Sequence, residues 1–161
     1  AQYHGVIDGC ERLCGARDEA SEALQETMLK LLRRIGEYRG QGPFWGWLRQ
    51  IAINEALQRL RRSRRIDETL PLDGHDIEDA AAPPPAAADA ALLQRALLAL
   101  PAATRSVLWL YHAEGYTHEE IAAAMQRTPS FSKSQLARGT RRLRQLLQVD
   151  VAPPAREVAH A

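Results

Sequence analysis

Apolar positions recur at helical spacing along most of the chain. Leu24, Met28, Leu31, Leu32 and Ile35 follow the i, i+4, i+7, i+8 rule and predict an amphipathic helix ending near Gly36. Gly40, Gly42 and Pro43 mark a loop. Trp47, Leu48, Ile51, Leu57 and Leu60 then form a second amphipathic run, and residues 1–66 read as about three helices. Strand-like alternation never lasts more than a few residues. From Ile66 to Ala90 the periodicity stops. Pro71, Gly74 and Pro83-Pro84-Pro85 stand among Ala and Asp, a composition that buries too little apolar surface to offset chain entropy. Helical spacing resumes at Leu92, Leu93, Ala96, Leu97 and Leu100, breaks at Pro101, and returns through Val107, Leu108, Leu110 and Tyr111.

The next two helix starts are written in side chains. Thr117-His118-Glu119-Glu120 has the hydroxyl-then-carboxylate spacing of a capping box, ahead of Ile121, Ala122 and Met125. Thr128-Pro129 places a hydroxyl at an N-cap and proline at the first helical position. The last helix is expected to run to about Gln148, with residues 149–161 as a frayed tail.

Charge changes the picture only when counted by segment. The 161 residues carry a net charge of +1. Residues 1–66 hold twelve basic and eight acidic side chains, residues 67–90 hold seven acidic and no Lys or Arg, and residues 91–161 hold nine basic and five acidic. Two basic blocks are thus separated by an acidic one. No apolar run reaches the ~18 residues of a membrane span, and Cys10 and Cys14 do not make a disulfide framework. A reducing, cytoplasmic setting is expected.

Two segments point to nucleic acid. The capped pair of helices around Gln126-Arg127 reads as a helix-turn-helix, and its second helix carries Lys133, Arg138, Arg141, Arg142 and Arg144 without an acid between Ser130 and Gln148. Arg59, Arg61, Arg62, Arg64 and Arg65 end a helix that also carries Trp45, Trp47 and Asn54. Cations beside rings suit single-stranded or melting DNA, because bases stack while the backbone tracks charge. Cations at a helix C-terminus also complement its dipole, so part of that run reads equally well as structural. Trp47 fits a core position, whereas Trp45 is open between packing and stacking.

These residues carry a resemblance. The stretch from Asp18 to Arg65 is similar to the second conserved region of extracytoplasmic-function sigma factors of the sigma-70 family, through Gln25-Glu26, Tyr38-Arg39-Gly40, Phe44, Trp47, Leu48, Ile51, Ala52 and Asn54. The stretch from Leu92 to Leu147 resembles the fourth region, through Leu100-Pro101, Arg105, Val107, Gly115, Glu120-Ile121-Ala122, Lys133-Ser134 and Arg142-Leu143-Arg144. The resemblance implies an all-α chain of two small helical domains, residues 1–66 and 91–148, joined by a flexible acidic linker over 67–90. It implies that Gln25, Glu26, Lys30 and Arg33 meet the β′ clamp helices of core RNA polymerase, and that region 4 meets the β flap. Gly42, Phe44, Trp45 and Asn54 would serve the −10 element, with Arg59, Arg61, Arg62 and Arg65 on nearby backbone. Lys133, Ser134, Gln135, Ala137, Arg138, Arg141 and Arg142 would face the −35 element. Promoter DNA and an anti-sigma factor are the other implied partners, the latter in a heterodimer with an otherwise monomeric chain.

Nothing in the sequence forms a catalytic constellation, and no cofactor or metal is expected. Cys10 and Cys14, one helical turn apart, read as small buried hydrophobes rather than as a metal or redox sensor. A free-standing helix-turn-helix regulator would explain residues 101–148 but not the first basic block.

Overall fold

The computed structural model describes residues 2–71 and 90–151, and among them the regular structure is entirely helical. Seven α-helices follow in order: α1 Gln2–Cys14, α2 Arg17–Arg34, α3 Phe44–Arg62, α4 Ala90–Leu98, α5 Ala102–His112, α6 His118–Met125 and α7 Pro129–Val151. Single 3-10 turns follow α2 at Ile35–Glu37 and α3 at Arg65–Asp67. The fold class expected from the periodicity holds. Most of the acidic segment, residues 72–89, and the tail beyond Val151 lie outside the described residues, whereas the last helix continues to Val151 rather than stopping at Gln148.

The caps read from the sequence are present. Thr117 Oγ1 accepts from the Glu120 N–H at 3.2 Å, and the Thr117 N–H donates to Glu120 Oε2 at 2.7 Å, completing the capping box. Thr128 Oγ1 accepts from the Phe131 N–H at 3.2 Å ahead of Pro129. Such a cap contributes about 1 kcal/mol, so Thr117→Ala should lower the melting temperature by a few degrees. An unchanged melting curve would show the cap to be energetically idle.

The first three helices pack on one another, and Leu48, Ile51, Leu57 and Leu60 of α3 are buried as their spacing predicts. α4, α5 and α6 gather around α7. Gly139 of α7 lies against α5, where a Cβ would come 2.7 Å from Thr104 Cγ2 and 2.9 Å from Leu108 Cδ1. The two halves are not separate bodies. α1 packs on α5, and one continuous apolar cluster runs from Val6, Cys10 and Leu13 through Leu57 and Leu60 to Val107, Leu110 and Leu143.

The apolar stripe of α2 departs from the ordinary rule. An amphipathic surface helix normally turns its stripe to the core. Here Ala20, Ala23 and Thr27 are the buried residues of α2, whereas Met28, Leu29, Leu32 and Ile35 are exposed, Leu32 by 72%. The spacing identified the helix correctly, but the lower half of the stripe has no core to enter.

Candidate nucleic-acid interface

The corner between α2 and α3 is built by two glycines and a tyrosine. Gly40 (φ 70°) and Gly42 (φ 92°) occupy the left-handed region, which disfavours any Cβ. The Tyr38 hydroxyl donates to the Gly42 carbonyl at 2.7 Å and closes the turn. Around it the rings of Tyr38 and Phe44 (5.5 Å between centroids, edge-on), Tyr38 and Trp47 (5.4 Å, tilted), and Phe44 and Trp45 (5.7 Å, edge-on) form a cluster. Trp47 and Phe44 are half-buried in it, and Trp45 is the exposed rim. The cluster therefore offers ring faces to solvent at the start of α3. Asn54 is exposed on the same helix but ten residues on, about 15 Å along its axis. It lines an open cleft of about 590 Å³ between α3, the α5–α6 turn and α6, whose charged walls are Arg49, Glu114 and Glu120. The structure thus brings Gly42, Phe44 and Trp45 together and leaves Asn54 apart from them.

The arginine run divides by task. Arg59 pairs with Glu22. Arg61 donates to the Ala124 carbonyl at 2.7 Å, and Arg65 donates to the Cys14 carbonyl at 2.8 Å and to Glu19 at 3.1 Å. Arg62 and Arg64 are exposed. On α2, Gln25 and Arg33 are exposed and Glu26 is half-buried, all flanking the apolar stripe, while Lys30 reaches inward to Glu55, which is buried on α3.

The second helix of the helix-turn-helix presents fewer of the expected side chains than its charge count suggests. Lys133 and Arg142 are exposed, and Ser134, Ala137 and Arg141 are half-buried. Gln135 is buried, accepting from Thr104 Oγ1 at 2.7 Å. Arg138 is only 9% exposed and donates to the Leu70 carbonyl at 3.3 Å. Arg138, Arg141, Arg142 and Gln145 enclose a small cationic cleft of about 250 Å³ against Leu70 and Pro71.

Comparison with known proteins places both halves. Residues 4–66 match the family model for sigma-70 region 2, and residues 90–143 match that for sigma-70 region 4. The ECF RNA polymerase sigma factor SigM of Mycobacterium tuberculosis is 32% identical over 91% of this chain and 74% of its own length. The chain belongs to the ECF sigma factors. The ECF sigma factor SigE of Mycolicibacterium smegmatis is 36% identical over 84% of the chain and 54% of its own length. The chain also resembles a solved structure of the sigma factor RpoE in complex with the anti-sigma factor NepR from Bartonella quintana. That match has a TM-score of 0.59 and 28% identity, covering 90% of this chain and 91% of the other. An alternative sigma factor accounts for both basic blocks, and the free-standing regulator is not favoured. No helix among the described residues is long and apolar enough to cross a membrane.

The cysteines of this sigma factor are core residues, 1% and 0% exposed. Burial pushes the Cys10 thiol up to about 12 and the Cys14 thiol up to about 11. Because the folded values lie above the unfolded one near 9, the associated stability is intact below pH 9 and is lost as pH rises toward the folded values. Alkylation of the native sigma factor with iodoacetamide at pH 8 should therefore run only as fast as the chain opens. Rapid labelling at neutral pH would contradict this burial.

The resemblance includes Arg105 without giving it a role, and among the described residues it is the most buried cation. Arg105 of α5 is 2% exposed, and its guanidinium donates to the carbonyls of Arg12 at 2.7 Å, Leu13 at 3.2 Å and Leu100 at 3.0 Å. Desolvation, then the charge of Arg65, pulls it down to about 10, so it stays protonated at neutral pH. The available signal was a single charge inside the apolar stretch from Ala96 to Tyr111. A lone cation there must be satisfied by something polar.

Proposed function

We propose that this sigma factor attaches core RNA polymerase through α2 and reads promoter DNA with two surfaces, the ring cluster at the start of α3 and the basic helix α7. The observation that carries this is the exposed stripe of Met28, Leu29, Leu32 and Ile35. Four large apolar side chains left in water on one helix face, with Gln25, Glu26 and Arg33 beside them, suit a helical protein partner such as the β′ clamp helices. Region 4 would sit on the β flap.

Each promoter surface has a physical task. Extruding a base from the −10 element costs a few kcal/mol of lost stacking. A ring platform returns about 1–3 kcal/mol per base, a task suited to Phe44 and Trp45 above the Gly42 turn. Arg62 is the member of the arginine run best placed to follow the duplex backbone, with Asn54 on α3 between it and the rings. Lys133, Ser134 and Ala137 would approach base edges of the −35 element, and Arg141 and Arg142 its phosphates. Gln135 and Arg138 join that surface only once their present partners release them. The sigma factor itself carries out no bond chemistry; synthesis belongs to the polymerase. An anti-sigma factor is a fitting partner, since a third protein wedged on the same helices would block polymerase.

The deciding experiment is transcription in vitro with purified core polymerase on a pool of promoter fragments. Initiation that depends on adding this chain is the expected result. Absence of initiation on every fragment, with polymerase shown to be active, would overturn the proposal.

A further inference from the structure

We propose that Glu55 is a positioning residue for promoter contact: through Gln58 it aims the Arg62 guanidinium at the DNA backbone. The inference rests on the reading of Arg62 as a phosphate contact.

Glu55 is set apart by its place in the chain. It is the sole acid between Glu37 and Asp67, in a helix whose end opens a run of five arginines. It is also only 3% exposed. A buried carboxylate needs both a countercharge and hydrogen-bond donors. Lys30 of α2 supplies the charge. Gln58 supplies a further donor. A single orientation of its amide satisfies both neighbours: Nε2 donates to Glu55 Oε1 at 3.3 Å, and Oε1 accepts from Arg62 Nη2 at 3.2 Å. Glu55, Gln58 and Arg62 stand at i, i+3 and i+7, along one face of α3. A pair that merely fastened α2 to α3 would need neither Gln58 nor Arg62.

The electrostatics of this chain suit a cation that must stay available to phosphate. Arg59 is held by the carboxylate of Glu22, which offsets its charge. Arg61 and Arg65 are turned to the carbonyls of Ala124 and Cys14. Arg62 is exposed and is held by a neutral amide. Gln58 thus passes on a direction without passing on a charge, and Lys30 neutralises Glu55 at the source. The contact occupies one of the five N–H donors of the guanidinium, so the rest of the fork can take a phosphate. An arginine already ordered along α3 loses less side-chain freedom when it binds.

Double-mutant cycles on the chain bound to core polymerase test this. The probe is a fluorescent duplex from a fragment on which the wild-type chain and polymerase initiate, and affinity is read by anisotropy. Glu55→Leu removes the carboxylate at similar volume, and Lys30, a third exposed, can turn to water. Gln58→Leu breaks the link at a half-buried position and leaves the Lys30 pair in place. Charge alone predicts tighter DNA binding for Glu55→Leu and no change for Gln58→Leu. The positioning role predicts about threefold weaker binding for both. It predicts no further loss when either is combined with Arg62→Ala. Glu55→Gln keeps an acceptor oxygen for Gln58 and should bind as wild type does. Arg62→Ala itself should weaken binding about fivefold and lower the slope of log affinity against log salt by about one.

Unchanged or tighter binding by Gln58→Leu, with Arg62→Ala weakened, would overturn the role of Glu55, even if Glu55→Leu does not fold. So would losses that add in the double variants, because damage to the fold acts beside Arg62 and not through it. Wild-type affinity and salt slope in Arg62→Ala would instead overturn the reading of Arg62 as a phosphate contact.

Discussion

Replacing Leu32 with Glu will lower the affinity for core RNA polymerase by roughly 30-fold or more and leave the fold intact. Leu32 is the most exposed of the large apolar side chains on α2, so its loss removes no core packing. Substitutions at such surface positions usually shift stability by about 0.5 kcal/mol or less. At an interface the same residue, central in a stripe with Met28, Leu29 and Ile35, would enter a desolvated contact. There a charge costs about 2 kcal/mol or more, which is the stated factor. Titration of labelled chain with core polymerase, beside a melting curve, separates the two. A variant that melts normally yet binds polymerase as tightly as wild type would remove α2 from the docking surface.

The second large effect is expected from Gly139→Leu. The position lies where α7 crosses α5, and even the first carbon of a side chain meets Thr104 and Leu108 at less than 3 Å. Leucine improves helix propensity by about 0.8 kcal/mol over glycine. Overpacking a tight crossing costs about 1–3 kcal/mol, and four carbons at this contact place the variant at the upper end. The net loss should be about 2 kcal/mol and lower the melting temperature by roughly 4–8 °C, as scanning calorimetry would read. α7 must also tilt away from α5, so initiation should fall even at temperatures where the variant is folded. A melting temperature equal to or above that of wild type would show that α5 and α7 can separate freely.

The parts of the molecule that were legible in the sequence are those written locally. The capping box at Thr117, the Thr128-Pro129 start and the glycine turn before α3 are determined by residues within four positions of one another. The burial of Leu48, Ile51, Leu57 and Leu60 follows from spacing alone. What was not legible depends on contacts across 51 to 93 positions. The apolar face of α2 looks the same in sequence whether a core or another protein covers it. Arg65, Arg105 and Arg138 look like surface cations until Cys14, Arg12 and Leu70 are brought beneath them. Counting positive charge overestimated the free basic surface, because backbone carbonyls consume guanidinium groups without leaving any trace in a charge count.

The joint at the end of α1 also bears on modularity. Regions 2 and 4 are matched as separate units, yet Gly15 in one, at φ 72° and with no room for a Cβ beside the Arg105 guanidinium, is fitted to that arginine in the other. A chimera taking region 2 from a relative with a bulkier residue at that turn would lose the seat for the arginine. A chimera taking region 4 without the arginine would leave two carbonyls bare. Exchange of promoter specificity between family members by swapping halves is then limited by a matched pair of residues, neither of which need touch DNA.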